Sequence, residues 1–169
     1  MMKILYPTKT LGSVFELPVD ALKASGIKGI IFDIDNTLVP YDEAEPTDAI
    51  ITFFEQLREK GFKIALVSNN SEDRVIKFNE RLKVLTLHKA QKPMTKSFVK
   101  ALKMMECDKN EAIIVGDQVF TDVFGGNRAG IGTYLVNPVS DKDEWQTKVK
   151  RGLERQVLKQ YKKWLERQA

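Results

Sequence analysis

Residues 28–38 read KGIIFDIDNTL, an apolar run that ends in two aspartates separated by one residue. An apolar run without polar alternation is typical of a strand that is buried on both faces of a parallel sheet. Side chains of an extended chain alternate between its two sides, so Asp33 and Asp35 point to the same side. We therefore expect two carboxylates close together at a strand end, where a divalent cation would relieve their repulsion.

The chain up to residue 136 alternates between short apolar runs and amphipathic helical patterns. Further strands are predicted at 62–67, 84–87, 112–115 and 133–136. Helices are predicted at 47–60, 71–83 and 95–105. This alternation favours right-handed βαβ crossovers and predicts an α/β fold, a three-layer, doubly wound, Rossmann-like parallel sheet. In such a sheet, ligands bind at the carboxyl ends of the strands.

The length and composition indicate one globular domain, 1–169. Hydrophobic residues make up 43% of the chain and charged residues 30%, which is the balance of a folded protein rather than a disordered one. No apolar stretch is long enough to cross a bilayer, and residues 1–7 lack the pattern of a signal peptide. Cys107 is the only cysteine, which excludes an intrachain disulfide. We therefore expect a cytoplasmic protein.

Polar residues follow the second predicted strand and precede the helix at 95–105. Ser68 and Asn69 lie at a strand-to-helix turn, where a hydroxyl and backbone N–H groups can hold an anion, although such residues also serve as ordinary helix caps. Lys92 is suited to neutralise a phosphoryl group as charge develops in a transition state. A solvated surface lysine would fit the same position equally well.

A second acidic motif follows the strand predicted at 112–115. Gly116 allows a tight turn, and Asp117 lies at the strand end, where its carboxylate would complete a Mg²⁺ site begun by Asp33. Asp122 is suited to bind the ion through water or to orient its ligands. The alternative is a helix N-cap that is stabilised by the helix dipole.

Taken in chain order, these elements resemble the haloacid dehalogenase (HAD) superfamily. The resemblance rests on the aspartate pair, a Ser/Thr, a Lys and a Gly-Asp-x-x-x-x-Asp motif, which are spread over residues 30–122. The resemblance implies a Mg²⁺-dependent phosphatase in which Asp33 accepts the phosphoryl group and Asp35 acts as acid and base. It also implies that the side chains of Asp33 and Asp117 and the backbone carbonyl of Asp35 hold the metal.

The remaining site residues follow from the same resemblance. Ser68, Asn69 and Lys92 are expected to hold the phosphoryl oxygens, while Thr37 and Asp122 contact the residues that hold the metal. The spans 38–67 and 70–92 are too short for an inserted cap domain. A site without a cap is open to solvent and admits a substrate attached to something large.

A closer resemblance is to the YqeG family, HAD subfamily IIIA. It is carried by residues 26–38, 68–70, 92–93 and 116–118, and it extends to about Pro138. That family is similar to the mitochondrial and plastid phosphatidylglycerophosphate phosphatases, which implies a lipid head-group substrate. Two alternatives remain: a phosphatase for soluble sugar, nucleotide or nucleic-acid-end phosphates, and a ribosome- or RNA-associated binding module with the HAD fold.

The segment 141–169 is strongly basic. It contains nine Lys or Arg and five Asp or Glu, which accounts for the whole net charge of +4. Its apolar residues recur at roughly every fourth position and predict a basic amphipathic helix at about 143–168. These residues are Trp145, Val149, Leu153, Val157, Tyr161 and Leu165. Such a helix could pack on the sheet, lie on anionic lipid at the inner membrane face, or contact RNA.

Overall fold

The computed structural model describes residues 2–142 and 145–169, and only the backbone of residues 145 and 146. Its centre is a parallel sheet of six strands in the order β1-β6-β5-β2-β3-β4. The strands are β1 Lys9–Leu11, β2 Gly29–Phe32, β3 Lys63–Val67, β4 Leu85–Leu87, β5 Ala112–Gly116 and β6 Gly132–Val136. The predicted α/β fold is confirmed.

Six α-helices connect the strands and follow the last of them. They are α1 Val19–Ala24, α2 Asp48–Glu59, α3 Glu72–Asn79, α4 Lys96–Met105, α5 Phe124–Ala129 and α6 Trp145–Glu166. A π-helical turn, Val119–Val123, precedes α5, and short 3-10 helices lie near the N-terminus at Met2–Leu5 and Val14–Glu16. A π-helical turn of this kind often marks a functional position in a chain.

The sheet is buried on both faces, as the apolar run in β2 predicts. Ile30 and Phe32 face a cluster that includes Phe53 and Phe54 of α2, whereas Ile31 faces the opposite cluster with α4. The helix α2 begins where the Thr47 side chain accepts a hydrogen bond from the Ile50 N–H, and it ends before Gly61. Two helical layers therefore enclose the sheet.

The order of the strands creates a switch point beside β2. From β2 the chain moves outward through β3 to β4, and α4 then carries it back to β5, on the other side of β2. The carboxyl ends of β2, β3 and β5 are consequently adjacent, which is where ligands bind in doubly wound sheets. The loop 33–47 joins β2 to α2 and contains one isolated bridge, between Asp35 and Val39. Within residues 2–142, therefore, no cap domain covers this edge.

One predicted helix end differs from the structure and one helix was not predicted, in both cases for local reasons. The helix α3 ends at Asn79 rather than near 83, because the Asn79 amide binds both the N–H and the carbonyl of Val84. The helix α5 was not predicted, because its two glycines disfavour a helix. Those glycines are required by packing: a Cβ on Gly126 would overlap Thr133, and one on Gly125 would overlap Phe98.

The C-terminal helix α6 packs against the rest of the chain with part of its predicted apolar stripe. Val157 and Tyr161 are buried, and the Tyr161 ring lies 5.3 Å from that of Tyr6. Val149, Leu153 and Leu165 of the same stripe are exposed. Positions four residues apart rotate by about 40° per step around an α-helix, so a strict fourfold spacing leaves the buried face.

The start of α6 lies at the edge of the described residues. The predicted helix starts at about 143, but residues 143 and 144 and the side chain of Trp145 lie outside the described part of the chain. No helix in the described residues is long and apolar enough to span a bilayer.

Candidate active site

The centre of the site is a buried ammonium group between two buried carboxylates. Lys92 Nζ donates to Asp33 Oδ1 at 2.8 Å and to Asp122 Oδ1 at 2.7 Å. Asp33 follows β2, Lys92 precedes α4, and Asp122 lies in the π-helical turn after β5. Three separate segments of the chain thus meet at the switch point beside β2.

The position of Lys92 is fixed through its backbone by Asn69. The Lys92 N–H donates to Asn69 Oδ1 at 2.7 Å, and Asn69 Nδ2 donates to the Lys92 carbonyl at 3.2 Å. In this structure Asn69 therefore positions the lysine. Direct contact between Asn69 and a phosphoryl group stays a prediction.

Asp117 at the end of β5 is held from two sides. The Thr37 hydroxyl donates to Asp117 Oδ1 at 2.8 Å and also lies 3.5 Å from Asp33 Oδ2, so it links the two carboxyl groups. From the other side, Arg151 of α6 forms a salt bridge to Asp117 Oδ2 and donates to its carbonyl oxygen at 2.7 Å. The contact between Arg151 and Asp117 was not predicted, because no sequence spacing links the basic segment to Asp117.

Asp35 has a different environment from the other site aspartates. Its Oδ1 accepts hydrogen bonds from Arg74 of α3, at 3.0 Å from Nη2, and its Oδ2 accepts one from Asn70 at 3.0 Å. Arg74 also donates to the carbonyl of Ala44 in the loop after β2. Arg74 was not predicted as a site residue, since no spacing rule links it to Asp35, which lies 39 positions away in the sequence.

Three of the aspartates form a cluster that fits a small divalent cation. Asp33, Asp117 and Asp122 are buried, and each offers a carboxylate oxygen within 4.8 Å of the others. The negative charges of buried carboxylates need positive charge to compensate them, and carboxylate oxygens are ligands that suit Mg²⁺. The prediction had placed Asp122 beside the metal ligands, and the cluster now makes it a candidate ligand itself.

The burial of this cluster changes how readily its groups ionise. Burial and the charges of Asp33 and Asp122 raise the pKa of Asp117 to about 8, although Arg151 opposes the shift. Burial also raises the pKa of Asp33 against the influence of Lys92. Burial alone would lower the pKa of Lys92, but the carboxylates of Asp122 and Asp33 raise it above its ordinary value. Lys92 therefore stays charged, whereas the raised pKa of Asp117 means that its ionised form is disfavoured until a cation stabilises it.

Two local features build the walls of the site. A Cβ at position 116 would overlap the side chain of Asp122, so this position requires glycine. Ser68, buried at the end of β3, accepts a hydrogen bond from the Asn70 N–H at 3.1 Å. Beside these groups lies an open cavity of about 340 Å³, lined by Asp33, Asp35, Ser68 and Lys92, and on the α6 side by Thr147 and Lys150.

Comparison with known families agrees with this geometry. Residues 40–136, more than half of the chain, match the family model for haloacid dehalogenase-like hydrolases. The chain belongs to that family. A curated relative, the probable phosphatase YqeG of Bacillus subtilis, is 41% identical over 96% of this chain and 95% of its own length. The chain is therefore a phosphatase-type hydrolase, and the predicted resemblance to the YqeG family is confirmed.

Two other comparisons extend this result. The chain is 32% identical to phosphatidylglycerophosphate phosphatase 1 of Arabidopsis thaliana, over 86% of this chain. It spans only 44% of that relative's length. The crystal structure of an HAD phosphatase from Thermococcus onnurineus aligns with a TM-score of 0.54 at 16% identity, covering 70% of this chain and 90% of that chain. This structural match supports the HAD-like fold.

The raised pKa of Asp117 leads to a prediction about Mg²⁺ binding. With the pKa of Asp117 raised to about 8, a cation competes with a proton for this carboxylate below that pH, so the apparent affinity for the cation falls as the pH falls. Displacing one proton lowers the affinity about tenfold per pH unit. The dissociation constant from isothermal titration calorimetry should therefore be roughly fiftyfold larger at about pH 6 than at about pH 8, where the group is already half ionised.

Two variants complete this measurement. Asp117→Asn should bind no Mg²⁺, whereas Asp73→Asn, at an exposed position of α3, should bind like the wild type. An affinity that does not change between these pH values would contradict the raised pKa of Asp117, and Mg²⁺ binding by Asp117→Asn equal to that of the wild type would contradict its assignment to the metal site.

Proposed function

We propose that this chain is a Mg²⁺-dependent phosphomonoester hydrolase that works through an aspartyl-phosphate at Asp33, with phosphatidylglycerophosphate as its substrate. The proposed phosphoryl-transfer mechanism rests on one observation: a single buried lysine contacts both Asp33 and Asp122, beside Asp117. A cluster of this kind would be costly to maintain without a function, since it buries several charges. A binding module with incidental chemistry would not require it.

In the proposed first step, a carboxylate oxygen of Asp33 forms a bond to phosphorus. The bond from phosphorus to the ester oxygen breaks, and its electron pair stays with the departing alcohol. Lys92 keeps Asp33 in place and offers positive charge beside the transferring group, which is the main contribution a protein makes to phosphoryl transfer. A bound Mg²⁺ would supply further charge neutralisation at Asp33, Asp117 and Asp122.

Asp35 handles the protons in this proposal. It gives a proton to the departing oxygen and later takes one from the water that cleaves the bond between Asp33 and phosphorus. Because Arg74 and Asn70 hold both of its oxygens, the Asp35 carboxyl group must turn away from them as substrate enters. The energy for this rotation would come from binding the substrate.

Ser68 is suited to hold a phosphoryl oxygen. Its Oγ accepts the Asn70 N–H, and within the described residues its own hydroxyl hydrogen has no acceptor. A buried hydroxyl with a free hydrogen at the end of a strand is a ready donor to an anion. The side chain also lines the same cavity as Asp33 and Lys92.

The lipid substrate is supported by similarity and by the openness of the site. The relative at 32% identity is a phosphatidylglycerophosphate phosphatase, and no cap covers the cavity in the described part of the chain. A membrane-bound substrate implies peripheral contact with the inner membrane face, for which the basic surface of α6 is suited. RNA contact by the same surface is the less favoured alternative.

The variant Asp33→Asn tests the proposed role of Asp33 as the nucleophile. We expect loss of phosphatase activity by at least about a thousandfold, because an amide is not a nucleophile toward phosphorus. The measurement is the kcat of p-nitrophenyl phosphate hydrolysis, with the unfolding midpoint as evidence that the variant folds. Asp73→Asn should keep full activity. Retained turnover in a folded Asp33→Asn protein would refute the nucleophile assignment.

A substrate comparison tests the lipid assignment. Phosphatidylglycerophosphate in mixed micelles should be hydrolysed with a kcat/KM at least about tenfold above that of glycerol 3-phosphate or a 5′-phosphorylated RNA, because differential transition-state binding sets specificity. Phosphate release is measured for each at equal enzyme concentration. Equal or better hydrolysis of a soluble ester would instead favour a soluble-substrate phosphatase.

A further inference from the structure

One wall of the cavity comes from α6, a helix outside the family motifs. Thr147 and Lys150 lie on its first turns and line the cavity together with the motif residues. Lys150 is exposed, so both residues stand at the solvent side of the cavity. The wall therefore offers contacts to the part of a substrate that lies beyond the phosphoryl group.

The position of this wall is fixed by a buried ion network. Arg151 donates to the carbonyl of Asp117 at 2.7 Å and to Glu154 Oε2 at 3.2 Å. Glu154 is buried and also accepts the Phe120 N–H of the π-helical turn at 3.2 Å. The start of α6 is thus tied directly to the segment that carries Asp122, so Lys150 occupies a defined place relative to the site.

Lys150 has no anionic partner in the described part of the chain. Two cations line the cavity, and the first, Lys92, is buried and paired with Asp33 and Asp122. Lys150 is exposed and has no ion-pair or hydrogen-bond partner in residues 2–142 and 145–169. The neighbouring cation Arg74 is likewise committed, to Asp35 and Ala44. Lys150 is therefore the cation at this rim that remains available to a ligand.

We propose that Lys150 is a specificity residue that binds a second anionic group of the substrate, separate from the phosphoryl group that is transferred. This inference rests on the proposed phosphatase function. The substrate class is a phosphomonoester whose alcohol part carries a further negative charge, either a phosphodiester or a carboxylate. An ester with a neutral alcohol part leaves Lys150 without a partner and gains nothing from it.

The expected effect follows from the exposure of the lysine. A charged hydrogen bond at a wet rim contributes modestly, so Lys150→Ala should lower kcat/KM about fivefold to tenfold for a doubly anionic ester. The loss should appear in KM with little change in kcat, because the contact is present in both the bound substrate and the transition state. Lys150→Glu should lower kcat/KM further, and Lys150→Arg should retain most of it.

The experiment uses two pairs of soluble esters. 3-Hydroxypropyl phosphate is compared with 3-carboxypropyl phosphate, and glycerol 3-phosphate with glycerophosphoglycerol phosphate, so that the carboxylate and phosphodiester sources are tested separately. The matched control is Lys148→Ala, on the same turns of α6 and also exposed but outside this cavity. Unfolding midpoints verify that all variants fold.

Each outcome decides the proposal. It is supported if Lys150→Ala loses kcat/KM for an anionic member of either pair but not for the neutral member, while Lys148→Ala does neither. Equal effects on both members of each pair, or equal effects of the two alanine variants, would overturn it and leave the phosphatase function intact. Failure of the wild type to hydrolyse any of the esters would reject the phosphatase function and this inference with it.

Discussion

Buried negative charge at the carboxyl ends of β2 and β5 is the constraint around which the chain is organised. Asp33, Asp117 and Asp122 lie close enough to share one ion, and burial makes their mutual repulsion strong. The protein offsets this repulsion with Lys92, between two of the carboxylates, and with Arg151 on the third. Lys92 comes from the turn before α4 and Arg151 comes from α6, so the tertiary fold is needed to assemble the site.

The same constraint connects the C-terminal helix to function. Through Arg151 and Glu154, α6 reaches both Asp117 and the turn that carries Asp122. The basic helix α6 is thus also a wall of an otherwise open cavity. Because no cap covers the described residues, this wall is where we propose that the substrate is contacted beyond its phosphoryl group. The docking of α6 therefore positions both Asp117, in the proposed metal site, and the Lys150 side of the cavity.

The sequence could predict those site residues that follow strands. In a doubly wound sheet the strand ends meet at one edge, so Asp33, Ser68 and Asp117 were expected together, and the structure brings them there. Arg74 and Arg151 were missed because their partners lie far away along the chain. The edge strand β1 and the glycine-containing α5 were missed because their stability comes from neighbours rather than from local preference.

The most direct test of the account is chemical trapping of the proposed acyl phosphate during turnover. The protein is quenched while it hydrolyses a phosphomonoester, reduced with borohydride and digested, and the modified residue is located by mass spectrometry. The account predicts conversion of Asp33 to homoserine only when substrate is present, because an aspartyl-phosphate is reduced and a free carboxylate is not. Modification of another residue, or an unmodified Asp33 in protein that is turning over, would contradict it.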